Sequence, residues 1–102
     1  VTGFMEIDDP NFGNLWTNIH MDYFEKLDIH HGDTIHACIS KNGEVLFDEE
    51  ITYYKSFGDS EKGKALLYNN EVNKISFAMN QNSFKNNYHV DHGADYKVVF
   101  SK

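Results

Sequence analysis

The sequence contains a single cysteine and a single proline. Cys38 alone cannot form a disulfide within the chain, so we expect a reducing, cytoplasmic setting in which it is a small buried hydrophobic residue of a strand. One proline leaves most of the chain free to form continuous sheet. No apolar run reaches the length of a membrane span, and no basic segment leads into an apolar one, so a soluble protein is predicted.

Positive charge is also scarce. The chain has 9 basic and 16 acidic residues, which gives a formal net charge of −7. The basic residues are scattered and form no stripe that would follow a phosphate backbone, so nucleic acid is not an expected partner. Aromatic residues, in contrast, make up 15% of the chain and favour strands over helices.

Alternation of apolar and polar residues predicts about seven strands. Asn42-Gly43 predicts a tight hairpin between the third and fourth, because this pair suits a two-residue turn. Helical spacing over residues 21–27 predicts a short helix, residues 56–64 a polar loop, and residues 80–84 a polar turn or a helical turn. The predicted strands span residues 3–7, 15–19, 34–40, 44–51 with a continuation to 54, 65–68, 74–79 and 96–100.

The predicted fold is therefore all-β, a small antiparallel β-barrel with one or two short helical turns. With 102 residues, the chain has room for one core and no second one. It starts with Val1 and enters a strand almost at once. We therefore expect residues 1–102 to be a single domain cut from a longer protein.

Metal and nucleophile sites are poorly supported. The histidines lack the spacing of a known zinc motif, and neighbouring residues on a strand point to opposite faces. No Gly-x-Ser-x-Gly elbow surrounds any serine, so we expect neither a resident metal nor a catalytic residue in this chain. The histidine and aspartate groups considered were His30, His31 and His36 with Asp33, and His89 with Asp91 and His92.

The segment FGNLWTNI at residues 12–19 carries the clearest sign of a binding site. The Asn14 amide can donate and accept at once, as an adenine edge requires, and Phe12 offers a ring face for a base. The alternative is an ordinary turn, since Asn, Gly, Pro and Asp dominate turns. Amides also flank the strand at 74–79, in residues 69–70 and 80–82, where a barrel end would bring them toward Asn14.

Taken in order, these motifs resemble the C-terminal domain of the S-adenosylmethionine hydroxide adenosyltransferase, fluorinase and chlorinase family. The resemblance covers nearly the whole chain. FGNxxTNI is its most specific element, and AMNQ supports it. The matching segments are IDD at residues 7–9, FGNLWTNI at 12–19, TY at 52–53, ISFAMNQNS at 75–83 and GAD at 93–95.

The resemblance implies an enzyme that displaces methionine from S-adenosylmethionine by attack at the ribose 5′ carbon. Water would give adenosine and halide a halogenated nucleoside, with S-adenosylmethionine as substrate and no further cofactor. It also implies a larger N-terminal domain ahead of this barrel and a homotrimer, in which the ligand lies between this barrel and the N-terminal domain of a neighbouring subunit. This chain would supply half of that site.

By position, the resemblance places Asn14 at the adenine edge, Phe12 and Tyr53 at the faces of the base, and the Gln81 backbone beside it. Asp9 would meet the methionine ammonium, which suits a carboxylate. An extra residue before Phe12 leaves Asp8 as the other candidate for that role.

Two departures from the family pattern bear on function. Asn70-Glu71 replaces Asn-Ser, which removes a hydroxyl expected at the methionine carboxylate. Met79 stands where fluorinases place an arginine. We therefore expect the water-using, hydrolase-like branch. The alternatives are a halide-using transferase and a non-catalytic module that binds a nucleoside or assists assembly.

Overall fold

Seven strands and two short helices form this chain, for which a computed structural model describes residues 1–9, 11–55 and 60–102. The strands close into a barrel in the order β1-β2-β6-β5-β4-β3-β7, which confirms the predicted small seven-stranded barrel. The elements are β1 Thr2–Asp9, β2 Asn14–His20, α1 Met21–Lys26, β3 Thr34–Lys41, β4 Glu44–Tyr54, β5 Ala65–Asn69, β6 Lys74–Met79, α2 Phe84–Tyr88 and β7 Gly93–Ser101.

One pair of neighbouring strands departs from the antiparallel pattern. β4 and β5 run parallel, with Tyr53 opposite Leu67 and Tyr54 opposite Tyr68. A two-residue hairpin can join only antiparallel strands, whereas parallel strands need a longer crossover. Ten residues separate Tyr54 from Ala65, and their polar composition does not reveal the direction in which the chain returns.

The predicted hairpin and the first helix are confirmed, and most strand limits differ by one or two residues. β7 begins at Gly93, earlier than predicted, and α2 begins at Phe84, where the predicted polar turn ends. Of the predicted loop at residues 56–64, residues 56–59 lie outside the described residues, as does Pro10 in the turn before Phe12.

Aromatic rings fill the centre of the barrel. Phe77 stacks on Phe100 with ring centroids 5.5 Å apart, and it meets Phe47 edge-on at 5.9 Å. On β3, Ile35, Ala37 and Ile39 point into this core. Cys38 therefore points outward and is only half-buried, so the prediction of a buried cysteine was wrong.

The two ends of the barrel carry different elements. Asp9, Asn14 and Met79 share one end, called here the upper end, where α2 also lies. α1 lies at the opposite, lower end, next to the end of β2 and the start of β6. Within the described part of the chain, neither helix is long and apolar enough to cross a membrane.

Candidate functional site

A pocket of about 370 Å³ opens at the upper end, between the β1–β2 connection and the turn after β6. Its volume falls in the range of about 300–1,000 Å³ that is usual for small-molecule sites. Among the described residues, none in its lining carries a charge. The lining consists of one aromatic ring, one thioether and five side-chain amides, from Phe12, Met79, Asn11, Asn14, Asn80, Gln81 and Asn82.

The β1–β2 connection is held by its own backbone. The backbone carbonyl of Asp9 accepts hydrogen bonds from the backbone amides of Phe12 at 3.3 Å and Gly13 at 2.8 Å. Gly13 has a φ of +69°, and a Cβ placed there would lie 1.9 Å from Ser83 Oγ. Only glycine satisfies both conditions without rearrangement. This turn leaves the Phe12 ring 62% exposed at the mouth of the pocket.

The opposite wall is the turn between β6 and α2. Gln81 adopts a left-handed φ of +59°, and the Asn80 amide donates to the carbonyl of Ser60 at 2.8 Å. Ser83 then caps α2 by accepting from the backbone amide of Asn86 at 3.1 Å. Four of the sequence-predicted site residues, Phe12, Asn14, Met79 and Gln81, thus lie together around one pocket.

Asn14 is 2% exposed, and its Nδ2 donates to the hydroxyl of Tyr68 at 3.3 Å. Burial raises the pKa of Tyr68, and the neighbouring side chains of Asn14, Trp16 and Ser76 act in the opposite direction. Register places Tyr68 opposite Ser76, and Ser76 opposite Trp16, on the outer face of the barrel. We call Trp16, Ser76 and Tyr68 the outer row.

Asn70 joins the other end of the outer row. Its Nδ2 donates to Ser76 Oγ at 2.9 Å, and its Oδ1 accepts from the amides of Val72 at 3.0 Å and Lys74 at 3.1 Å. All of these contacts lie within the protein, so Asn70 shapes the β5–β6 turn. Glu71 follows on that turn and is exposed. The outer row therefore connects Asn14 to the turn that carries Asn70 and Glu71.

Asp8 and Asp9 end β1 but have different partners. Asp8 pairs with the ammonium of Lys85. The Asp9 side chain accepts from the amide of Asn11 at 3.2 Å and has no ion-pair partner within the described residues. Asp9 is the register partner of Asn14, which contacts Tyr68 of the outer row. After burial, the charge of Asp9 is a further cause of the raised pKa of Tyr68.

Tyr53 lies apart from the pocket. Its ring is buried inside the lower end, packed on Phe24 with centroids 5.0 Å apart and on His31 at 4.5 Å. Burial, with a smaller contribution from the charge of Glu25, raises its pKa to about 12. The next residue, Tyr54, points to the other face and is the register partner of Tyr68.

The histidines considered as metal ligands contact separate partners. His30 contacts Asp28, His31 contacts Asn69 and His36 contacts Asp48. Among the described residues, the one cluster of three ligand-type groups is Asp8, Asp91 and His92. The Lys85 ammonium already lies against both aspartates, which opposes a second cation there.

Sequence reasoning missed the outer row. Tyr68 and Ser76 are two ordinary strand residues, and what relates them to Asn14 is strand register, which a single sequence does not state. The available signal was alternation, because Ser76 lies between the inward-facing Ile75 and Phe77.

Comparison with known proteins gives a consistent match. A model of the SAM hydroxide adenosyltransferase C-terminal domain matches residues 5–97. The chain is 28% identical over 102 residues to a fluorinase of Actinopolyspora mzabensis and 30% identical over 99 residues to a fluorinase of Nocardia brasiliensis. The two alignments cover 99% and 96% of this chain but 33% and 32% of those proteins, so the chain spans about a third of their length.

Two solved structures share the fold. An uncharacterized conserved protein from Thermotoga maritima matches with a TM-score of 0.81 at 24% identity, over 98% of this chain and 35% of that one. A conserved hypothetical protein from Thermus thermophilus matches with a TM-score of 0.62 at 16% identity, over 98% of this chain and 34% of that one. At these identities the likeness concerns the fold alone.

Proposed function

Since this chain belongs to the family of SAM hydroxide adenosyltransferase C-terminal domains, we propose that it forms the adenosyl-binding wall of a cytoplasmic, S-adenosylmethionine-cleaving enzyme. The proposed reaction uses water and yields adenosine and methionine. The substrate brings its own leaving group, so no separate cofactor is required. The rest of the site comes from the N-terminal domain of a neighbouring subunit in a homotrimer.

The observation that carries this proposal is the buried amide of Asn14 at the edge of an uncharged pocket. Its Nδ2 is partly engaged by Tyr68, which fixes the amide orientation and leaves Oδ1 and one N–H for a ligand. That pair matches the amino group and N7 of adenine. A pocket lined by amides and an exposed phenyl ring suits a neutral, flat base.

The other residues follow from their positions. Phe12 covers one face of the base, and the backbone at Gln81 lies at the pocket wall. Asp9, the aspartate without an ion-pair partner among the described residues, receives the ammonium of the methionine part. By the resemblance, Asn70 and Glu71 are assigned to the methionine carboxylate. Tyr53 is left out of the wall, because its ring lies inside the barrel.

The chemistry is a displacement in line with the departing sulfur. A water oxygen forms a bond to the 5′ carbon, the carbon–sulfur bond breaks, and its electron pair stays on sulfur, so that the sulfonium leaves as neutral methionine while the water gives up a proton. This chain contributes orientation, which alone accounts for a large share of such rate enhancements. Groups that position the water lie outside this chain.

The test is to incubate the whole protein with S-adenosylmethionine and to follow nucleoside products by chromatography, with and without chloride and fluoride. Adenosine formed in the absence of halide supports the water-using reaction. Halogenated adenosine in its place would identify a halide-using transferase, which Met79 in place of an arginine disfavours. Failure to form either product would overturn the catalytic proposal.

A second candidate, a non-catalytic nucleoside-binding module, is favoured by two observations. Within the described residues, the pocket lining contains no ionisable side chain, and Glu71 would repel a substrate carboxylate. Binding of adenosine by the whole protein without turnover of S-adenosylmethionine would support this candidate.

A further inference from the structure

Lys85 makes contacts on both sides of the loop that carries the pocket. Its backbone N–H donates to the carbonyl of Gly13 at 3.0 Å, immediately before Asn14. Its ammonium pairs with Asp8 at the end of β1 and lies 3.3 Å from Asp91 Oδ1 in the connection between α2 and β7. One residue of α2 therefore links three segments that meet behind the pocket.

The charges in this cluster require a cation at its centre. Asp8 is 17% exposed, so its carboxylate would be costly to leave unpaired. The hydrogen bond that the Lys85 ammonium donates to Asp8 raises the pKa of Lys85, which favours the charged form. His92 completes the cluster, with Nδ1 3.0 Å from Asp91 and 3.9 Å from Asp8.

The same cluster distinguishes the two adjacent aspartates. The Lys85 ammonium neutralises Asp8 and holds it behind the β1–β2 connection. Asp9, the next residue, is instead the register partner of Asn14, which contacts Tyr68 of the outer row. Adjacent strand residues point to opposite faces, so fixing Asp8 on one face fixes Asp9 on the other.

We propose that Lys85 is a positioning residue of the binding site: by pairing with Asp8 and bonding to Gly13, it fixes the turn that sets Phe12 and Asn14 against the ligand and leaves Asp9 as the carboxylate that faces it. The inference rests on the proposed function for the identity of the ligand. It has a consequence without a ligand as well, since the turn should open more often when Lys85 is altered.

The experiment compares wild type, Lys85→Met, Lys85→Arg, Asp8→Asn and the Lys85→Met/Asp8→Asn double variant of the whole protein by calorimetry with adenosine. Lys85→Met is expected to weaken adenosine binding by about tenfold, the usual scale for losing a hydrogen bond to a charged group. Lys85→Arg should bind adenosine with an affinity within about threefold of wild type, since a guanidinium group also bridges carboxylates. The double variant should be no weaker than Lys85→Met, because the two residues act as one unit.

Hydrogen–deuterium exchange of the same variants supplies the readout without ligand. In Lys85→Met, the peptide that covers residues 11–16 should exchange faster, while a peptide from the β3 core exchanges as in wild type. Acceleration of both peptides alike would mean a general loss of stability and would contradict the positioning role. Lys102→Met is the control, because that lysine pairs with Asp28 at the other end of the barrel.

If Lys85→Met does not fold, Asp91→Asn removes one partner of Lys85 at a half-exposed position and should still speed exchange over residues 11–16. Unchanged exchange and adenosine affinity in the folded variants would overturn the inference while leaving the proposed function intact. Absence of adenosine binding by the wild type would overturn the proposed function, and with it the role of Lys85 toward that ligand.

Discussion

The Asn14 amide donates to the Tyr68 hydroxyl at 3.3 Å, from a position that is nearly inaccessible to solvent. An amide held in this way keeps one orientation of its oxygen and nitrogen, so the donor and acceptor presented to a ligand are fixed in advance. The outer row thus prepares the group to which the proposed function assigns the recognition of adenine.

Replacing Asn14 with alanine should weaken adenosine binding by the whole protein by about tenfold to a hundredfold, because both base contacts of the amide are lost. Isothermal titration calorimetry measures the change. Asn86→Ala, an exposed asparagine of α2, is the matched control and should bind as wild type. Equal affinities for Asn14→Ala and wild type would remove Asn14 from the site.

Gly13→Ala should lower the free energy of unfolding by more than Gly43→Ala does. Both glycines have positive φ, +69° and +85°, so each substitution incurs a backbone cost of roughly 1–2 kcal/mol. A Cβ at residue 43 meets nothing within 4 Å, whereas one at residue 13 collides with Ser83. The additional loss, on the order of 1–3 kcal/mol, would come from overpacking.

Urea unfolding of the two glycine variants provides the comparison. Equal destabilisation would show that Ser83 moves aside without cost, and that the close contact between the two walls of the pocket is not a constraint.

Asn70→Ala should destabilise the fold by about 2–3 kcal/mol, since it leaves buried partners in the β5–β6 turn without their hydrogen bonds. The Ser76 hydroxyl and the amides of Val72 and Lys74 all lose contacts. Glu71→Ala, next to it and exposed, should change stability by less than about 0.5 kcal/mol. Similar values for the two variants in thermal unfolding would contradict the structural role of Asn70.

Glu71→Ser should tighten binding of S-adenosylhomocysteine, a stable analogue that retains the amino acid tail, and should leave adenosine affinity unchanged. The reason is that an acid near the ligand carboxylate repels it, whereas a hydroxyl donates to it. Calorimetry with both ligands separates the tail from the base. A parallel change for both ligands would mean that Glu71 does not act on the tail.

Tyr53→Phe should flatten the fall in stability at alkaline pH. Folding raises the pKa of Tyr53 to about 12, so the hydroxyl loses its proton at a lower pH in the unfolded chain than in the folded one. The contribution of Tyr53 to the free energy of unfolding is therefore full below about pH 10 and is lost as the pH rises toward 12. A single group changes the slope by at most about 1.4 kcal/mol per pH unit. Urea titrations at pH 9 and pH 11 test this, and identical pH dependence in the variant would show that Tyr53 is accessible.

Local patterns in the sequence were sufficient to predict most of the strands and helices and half of the residues proposed for the site. The Asn42-Gly43 turn, the helical spacing after residue 21 and the alternation in β3 depend on contacts within a few residues, so they predict structure without knowledge of the rest. Phe12 and Asn14 are two residues apart, and their motif could be read directly. The resemblance to the family extended this reading to Met79 and Gln81, which line the same pocket.

Register and side-chain direction could not be read in the same way. Tyr53 and Tyr54 are the same residue type at adjacent positions. The strand register determines that Tyr53 packs inside the barrel while Tyr54 faces the outer row. Likewise, nothing in the sequence distinguishes Asp8 from Asp9 until Lys85, far along the chain, pairs with one of them.

The sequence by itself determined the strands of the barrel, the first helix and the amide-rich turns beside the pocket, because these depend on composition and on short-range periodicity. Tertiary structure alone decided that Tyr68 orients Asn14, that Ser83 meets Gly13 and that Lys85 selects between two aspartates. Each of these contacts joins residues more than fifty positions apart. Closure of the barrel brings them together, and the sequence specifies that closure only through the sum of many weak interactions.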